Sequence, residues 1–115
     1  MKMEWEQHRS GTVVTLSGDV VSEDMDVFKR RFEEQLQQGM RLVVDLRTVD
    51  RVDSACLEGL LWLHEYMQHK TGQLRVVVGN GQPFHAMRVT RVDRQFATHQ
   101  SIDAAARSFT RGQAA

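Results

Sequence analysis

Two short apolar runs with an amphipathic segment between them constrain this chain more than any other feature. Arg41-Leu42-Val43-Val44-Asp45-Leu46 and Leu74-Arg75-Val76-Val77-Val78 are largely apolar and rich in β-branched side chains. Runs of this length and type are interior strands of a sheet covered on both faces. Between them, Cys56, Leu60, Leu63 and Met67 recur at spacings of four, three and four, and Leu57 and Leu61 widen the stripe. That is the period of a helix with one buried face. Asp53-Ser54 opens the helix and Lys70-Thr71-Gly72 closes it, with Arg47 to Val52 as the linker from the preceding strand. A strand, a helix and a strand in succession require a crossover, which in a shared sheet makes the two strands parallel and the connection right-handed.

The flanking segments extend the same pattern. Met3 to Gln7 alternates apolar and charged residues, as a half-buried edge strand does. Thr12-Val13-Val14-Thr15-Leu16 pairs back onto it across the turn His8 to Gly11. Gly18-Asp19 is expected to break that strand. Ser22 then offers an N-cap for a helix whose stripe is Met25, Phe28, Phe32 and Leu36, with Gly39 at its left-handed end. After Gly79-Asn80-Gly81, Pro83 suits the first turn of a short helix carrying Phe84 and Met87. Gln95 to His99 reads as a short last strand, and Ser101 caps a final helix with Ile102, Ala105, Ala106 and Phe109 on one face. The order ββαβαβαβα predicts an α/β domain: a mixed, mostly parallel sheet of about five strands with about four helices. Val43, Leu46, Val76 and Val78 should lie in its interior. Residues 1–110 form one domain on this reading, and Arg111 to Ala115 a flexible tail.

Composition narrows the function. Fifteen basic and fifteen acidic residues cancel, which argues against a general nucleic-acid binder or a polybasic membrane anchor. No stretch approaches a membrane span, and Met1 to Arg9, with Trp5 among charges, lacks the apolar core of a signal peptide. The single cysteine, Cys56, cannot form an internal disulfide, which fits a cytoplasmic protein.

The run Val43-Val44-Asp45-Leu46-Arg47-Thr48-Val49-Asp50-Arg51-Val52-Asp53-Ser54-Ala55-Cys56-Leu57 resembles the central signature of STAS domains, the anti-sigma-factor antagonist fold. That signature is an apolar strand ending in Asp-Leu, a short linker, and Asp-Ser-Ser-Gly-Leu at a helix start. Thr15-Leu16-Ser17-Gly18-Asp19, Gly72 to Val77, and Asp93 to Phe96 followed by Ser101 to Ala105 are similar to further segments of the family. The resemblance implies a regulatory, non-enzymatic module in a partner-switching pathway. It makes Ser54 the phosphoacceptor, and Asp53, Ser54, Ala55, Leu57 and Glu58 the partner-binding residues. The implied partners are an anti-sigma factor or serine kinase and a phosphatase. The module would need no cofactor and no metal, and would be a monomer or weak homodimer. The alternative implied by the same family is an accessory subunit docking on a transporter or ABC-type ATPase without phosphorylation. Ala55 replaces the family's second hydroxyl residue, Cys56 its usual glycine, Glu58 a small residue, and Val21 an aspartate common near the phosphoacceptor. A carboxylate at Glu58, four residues after Ser54, would repel a phosphate there.

Other chemistry-bearing residues have simpler readings. Asp53-Ser54 is also a good helix cap in its own right. Cys56 lies on the Leu60-Leu63 stripe, as a buried, inert thiol would. His64 and His69 are five apart, not the four of a helical ligand pair. Gly79-Asn80-Gly81 lacks the third glycine of a dinucleotide cradle and reads as a turn. Arg88, Arg91 and Arg94 recur every three residues, as a solvated face or a docking patch would, and Trp62 beside the stripe is a core residue or an interface anchor.

Overall fold

Residues 1–109 are described in a computed structural model; the expected tail, Arg111 to Ala115, lies outside them. Strand β1 (Lys2–His8) pairs antiparallel with β2 (Gly11–Val20). Then follow α1 (Met25–Gln35), β3 (Arg41–Val52), α2 (Ser54–His69), β4 (Gln73–Val77), α3 (Gln82–Val89), β5 (Thr98–His99) and α4 (Ile102–Arg107). The five strands form one sheet in the order β1-β2-β3-β4-β5, parallel from β2 onwards. This is the expected mixed, mostly parallel sheet, with Val43, Leu46, Val76 and Val78 all buried.

The pleat divides the buried side chains between two faces of unequal weight. Val14, Leu16, Leu42, Val44, Leu74 and Val76 point to one face and pack with Phe28 and Phe32 of α1, Leu60, Leu63 and Met67 of α2, and Met87 of α3. Burying one such side chain stabilises the fold by about 1.5–3 kcal/mol. Phe32 meets Phe28 at 4.7 Å and Trp5 of the edge strand at 5.4 Å, both edge-on. Gly59 lets α1 and α2 approach: a Cβ there would stand 2.7 Å from the Met25 sulfur. Among the described residues, the smaller cluster on the other face is Val13, Val43 and Val77 under Ala105 and Phe109 of the α4 segment, with Ile102 packed against it. Arg75 ties that segment down, donating from Nε to the Ser108 hydroxyl at 2.8 Å and stacking 5.0 Å from the Phe109 ring.

Several boundaries depart from the sequence reading. Gly18-Asp19 does not end β2. Gly18 takes φ +80°, register shifts fall on either side of it, and the strand runs on to Val20. The expected linker Arg47 to Val52 is strand, because Ser17 to Val20 continue to pair with Thr48 to Val52. The Thr48 hydroxyl donates to the Leu16 carbonyl at 2.7 Å, while Val49 and Val52 are buried beneath. Ser22 caps no α-helix; it begins a single 3-10 turn, Ser22–Asp24, ahead of α1. Helix α1 stops at Gln35 with Leu36 extended, so Gly39 (φ +74°) turns the following loop instead. The last strand shrinks to two residues because Val92–Gln95 form a 3-10 turn.

Candidate functional site

The C-terminal ends of β2 and β3 bring three loops together where α2 begins. Asp53 is the N-cap of α2, in extended conformation, and its Oδ1 accepts from the Cys56 amide at 3.0 Å. Its other oxygen accepts from the Ser22 amide at 2.9 Å. One carboxylate therefore satisfies an orphan donor of its own helix and also fastens the loop between β2 and α1. Asp24 closes that loop from the other side, accepting from the Val21 amide at 2.9 Å. From the start of α3, the Gln82 side chain accepts from the Val52 amide at 2.9 Å and donates to the Val52 carbonyl at 3.1 Å.

With Asp53 holding the cap, the hydroxyl of Ser54 is not used for it. Ser54 is the first residue of α2 and is exposed, as is Glu58 one turn further on; Ala55 is half-buried. The expected docking role of Leu57 needs correction, because Leu57 is only 6% exposed and packs in the main core. Position 57 falls on the widened apolar stripe, so its side chain supports the helix from below. Cys56 is fully buried. Burial first, and then the negative charges of Asp53 and Asp24, push its thiol pKa up to about 12, which leaves no thiolate for nucleophilic chemistry at neutral pH.

The Asp-Leu of the motif is structural. Asp45 is buried and accepts from the Arg47 backbone amide and Nε at 3.0 Å each and from Nη2 at 2.9 Å. The paired carboxylate raises the Arg47 pKa above its ordinary value. The histidines stay apart: His8 bonds Glu6, and His64 packs edge-on against Phe96. Among the described residues no three of His, Cys, Asp and Glu gather as metal ligands would. Trp62 is half-buried and stacks on Tyr66 at 5.1 Å. Sequence reasoning missed the Asp53–Ser22 and Gln82–Val52 ties. The one local cue for the second is a glutamine directly before the helix-starting Pro83.

With a five-stranded sheet, a helix start at the end of β3 and an exposed serine there, the family can be tested. A family model described as "Mlab, STAS domain" matches residues 3–100. The chain belongs to the STAS domain family. The solved structure of an anti-sigma factor antagonist from Mycobacterium paratuberculosis is similar, with a TM-score of 0.74 at 22% identity over 90% of this chain and 89% of that one. A sulfate transporter family protein from Wolinella succinogenes gives 0.70 at 13% identity over 83% and 80%. The anti-sigma factor antagonist SpoIIAA in its unphosphorylated form gives 0.66 at 14% over 96% and 99%. At these identities the likeness is one of fold. No curated protein sequence matches the chain. No helix among the described residues of this STAS domain is long and apolar enough to cross a membrane.

Proposed function

We propose that this STAS domain is a regulatory protein-interaction module that docks through the start of α2 and is switched by phosphorylation of Ser54. The observation that carries the reading is the division of labour at residues 53 and 54. Asp53 takes both backbone amides, and Ser54 is left exposed with its hydroxyl outside the cap. Phosphate there adds a charge of about −1.5 to −2. It would stand beside Asp53 and Glu58, and a partner packed against this surface would have to bury that charge. Asp53, Ala55 and Glu58 complete the docking surface with Ser54. The anti-sigma factor antagonists among the similar structures support a partner such as an anti-sigma factor or its serine kinase, with a phosphatase to reverse the switch.

One observation favours a second reading, in which the domain is an accessory subunit docking on a transporter or ABC-type ATPase without phosphorylation. Glu58 is exposed one helical turn from Ser54 and disfavours a phosphate there by a few tenths of a kcal/mol. A sulfate transporter family protein also shares the fold. Calorimetric titration of proteins encoded beside this one against wild type, Ser54→Ala and Ser54→Glu separates the readings. The switch predicts binding by wild type and Ser54→Ala and at least ten-fold weaker binding by Ser54→Glu. Equal affinity of all three for a transport ATPase supports the second reading and overturns the first.

A further inference from the structure

The two edges of the sheet are finished differently. At one edge β5 is two residues long, Thr98–His99, and so short a strand offers little backbone to a newcomer. At the other, β1 runs for seven residues, Lys2–His8, in unbroken register with β2. Among the described residues its backbone bonds go to β2 alone, so the outward amides and carbonyls of β1 have no backbone partner. Most protections of an open edge are missing, since β1 has no proline, no bulge and no charge turned into the core. Lys2, Glu4 and Glu6 are exposed, while Met3 and Trp5 alternate with them, half-buried against the main core. Above this edge, Lys29 of α1 reaches to 5.8 Å from the Trp62 ring of α2, which packs on β3 and β4. Val27, two positions earlier, is turned about 200° around the helix. It therefore faces away from α2, to the side on which β1 is the last strand, and it is 40% exposed.

We infer that the β1 edge pairs antiparallel with β1 of a second copy of this chain, joining the two sheets about a two-fold axis at Glu4. Charge complementarity selects the occupant and the register. Residues opposite each other in an antiparallel pair share a face, and a two-fold axis makes every such contact occur twice. With the axis at Glu4, Lys2 stands opposite the second copy's Glu6 on the solvent face, and Met3 opposite its Trp5 on the core face. The two Glu4 side chains meet at the axis, each with its own Lys2 at 3.5 Å. An axis at Trp5 would set Glu4 against Glu6 twice, and an axis at Met3 would leave only Lys2 to Glu4 of the strand in register. The axis keeps both α1 helices on one face of the joined sheet and turns their Val27 flanks toward each other, which gives that exposed valine apolar cover. The pairing lies at the sheet edge and does not rest on Ser54 or on its modification.

The test is sedimentation equilibrium of the full chain up to millimolar concentration, with amide exchange measured over the same range. Expected are a monomer–dimer equilibrium and exchange in β1 that slows as concentration rises. Lys2→Glu and Glu6→Lys should each self-associate at least five-fold more weakly, because each turns both cross-strand pairs into like charges. Mixed together, the two variants should associate within about two-fold of wild type, since Glu then faces Lys at both pairs; recovery on mixing also shows that both variants fold. The pairing is overturned by a wild type that stays monomeric, by a dimer whose β1 exchange is unchanged, or by a mixture that does not recover. Undiminished association of Glu6→Lys would move the axis to Met3, and tighter association would move it to Trp5; either overturns the register proposed. Slowed β1 exchange only on addition of a different protein would give the edge to that protein's strand and overturn the second copy.

Discussion

The starts of α2 and α4 use the same residue type for opposite ends. At α4, Ser101 is itself the N-cap: its backbone is extended and its hydroxyl accepts from the Ala104 amide at 3.0 Å. At α2, the serine falls one residue later, and Asp53 makes the equivalent bond to the Cys56 amide. A shift of one position decides whether a hydroxyl is committed to the helix or spared from it. A serine at a helix start is therefore a candidate for surface chemistry only when another residue caps the helix. The two starts differ in reach as well. The bond from Ser101 stays within its own helix, whereas Asp53 also holds Ser22, thirty-one residues back in the chain.

That difference is open to direct attack. Asp53→Ala removes the partners of two backbone amides and should cost about 2 kcal/mol in urea unfolding, near the upper end for a cap. Amide exchange should quicken at Ser22 as well as at Cys56, and quickening at Cys56 alone would show that the second bond does not matter. Asp53→Asn should restore most of the loss.

Beneath the cap, the third residue of α2 is Cys56, where α4 has Ala104, and this gives the two starts different responses to pH. The folded thiol has a pKa of about 12 against an ordinary 9.0. The folded state therefore keeps a proton that the unfolded state loses. Stability from this group is intact below pH 9 and falls as pH rises from 9 towards 12, by about 1.4 kcal/mol per unit at most. Cys56→Ala should flatten that slope, at a cost in packing. A wild-type slope unchanged by the substitution would place the pH dependence elsewhere.

Ser101→Ala should cost about 1 kcal/mol, with the added exchange confined to α4. Ser54→Ala should cost under about 0.5 kcal/mol, as an exposed position outside the cap does. If Ser54→Ala proved as costly as Ser101→Ala, the hydroxyl of Ser54 would be structural and the contrast between the helix starts would disappear.

The sequence displayed the middle of this molecule better than its rims. The runs at Leu42 and Leu74 and the stripe from Cys56 to Met67 read directly as β3, β4 and α2, because residues buried on a continuous face cannot hide their period. The strand extension from Arg47 to Val52 did not. Arg47, Thr48, Asp50 and Arg51 are exposed there, and only Val49 and Val52 show a buried side. Ser54 was legible as a candidate through the motif around it, and Ser101 was legible as a cap. Why Ser54 is spared was not legible. The Asp53–Ser22 and Gln82–Val52 bonds join side chains to backbone thirty or more residues away, and no local pattern marks them. Leu57 was misplaced for a related reason: the family motif names the position, but the helical period decides which way its side chain points.

The central claim is that Ser54 carries the switch, and mass spectrometry of the protein purified from its own cells tests it most directly. The tryptic peptide that begins at Val52 contains Ser54 as its only serine. The account predicts phosphate on Ser54 in part of the population, with the phosphorylated fraction depleted from the partner-bound pool. A peptide wholly unmodified in both free and partner-bound protein, across growth conditions that change partner binding, would contradict it.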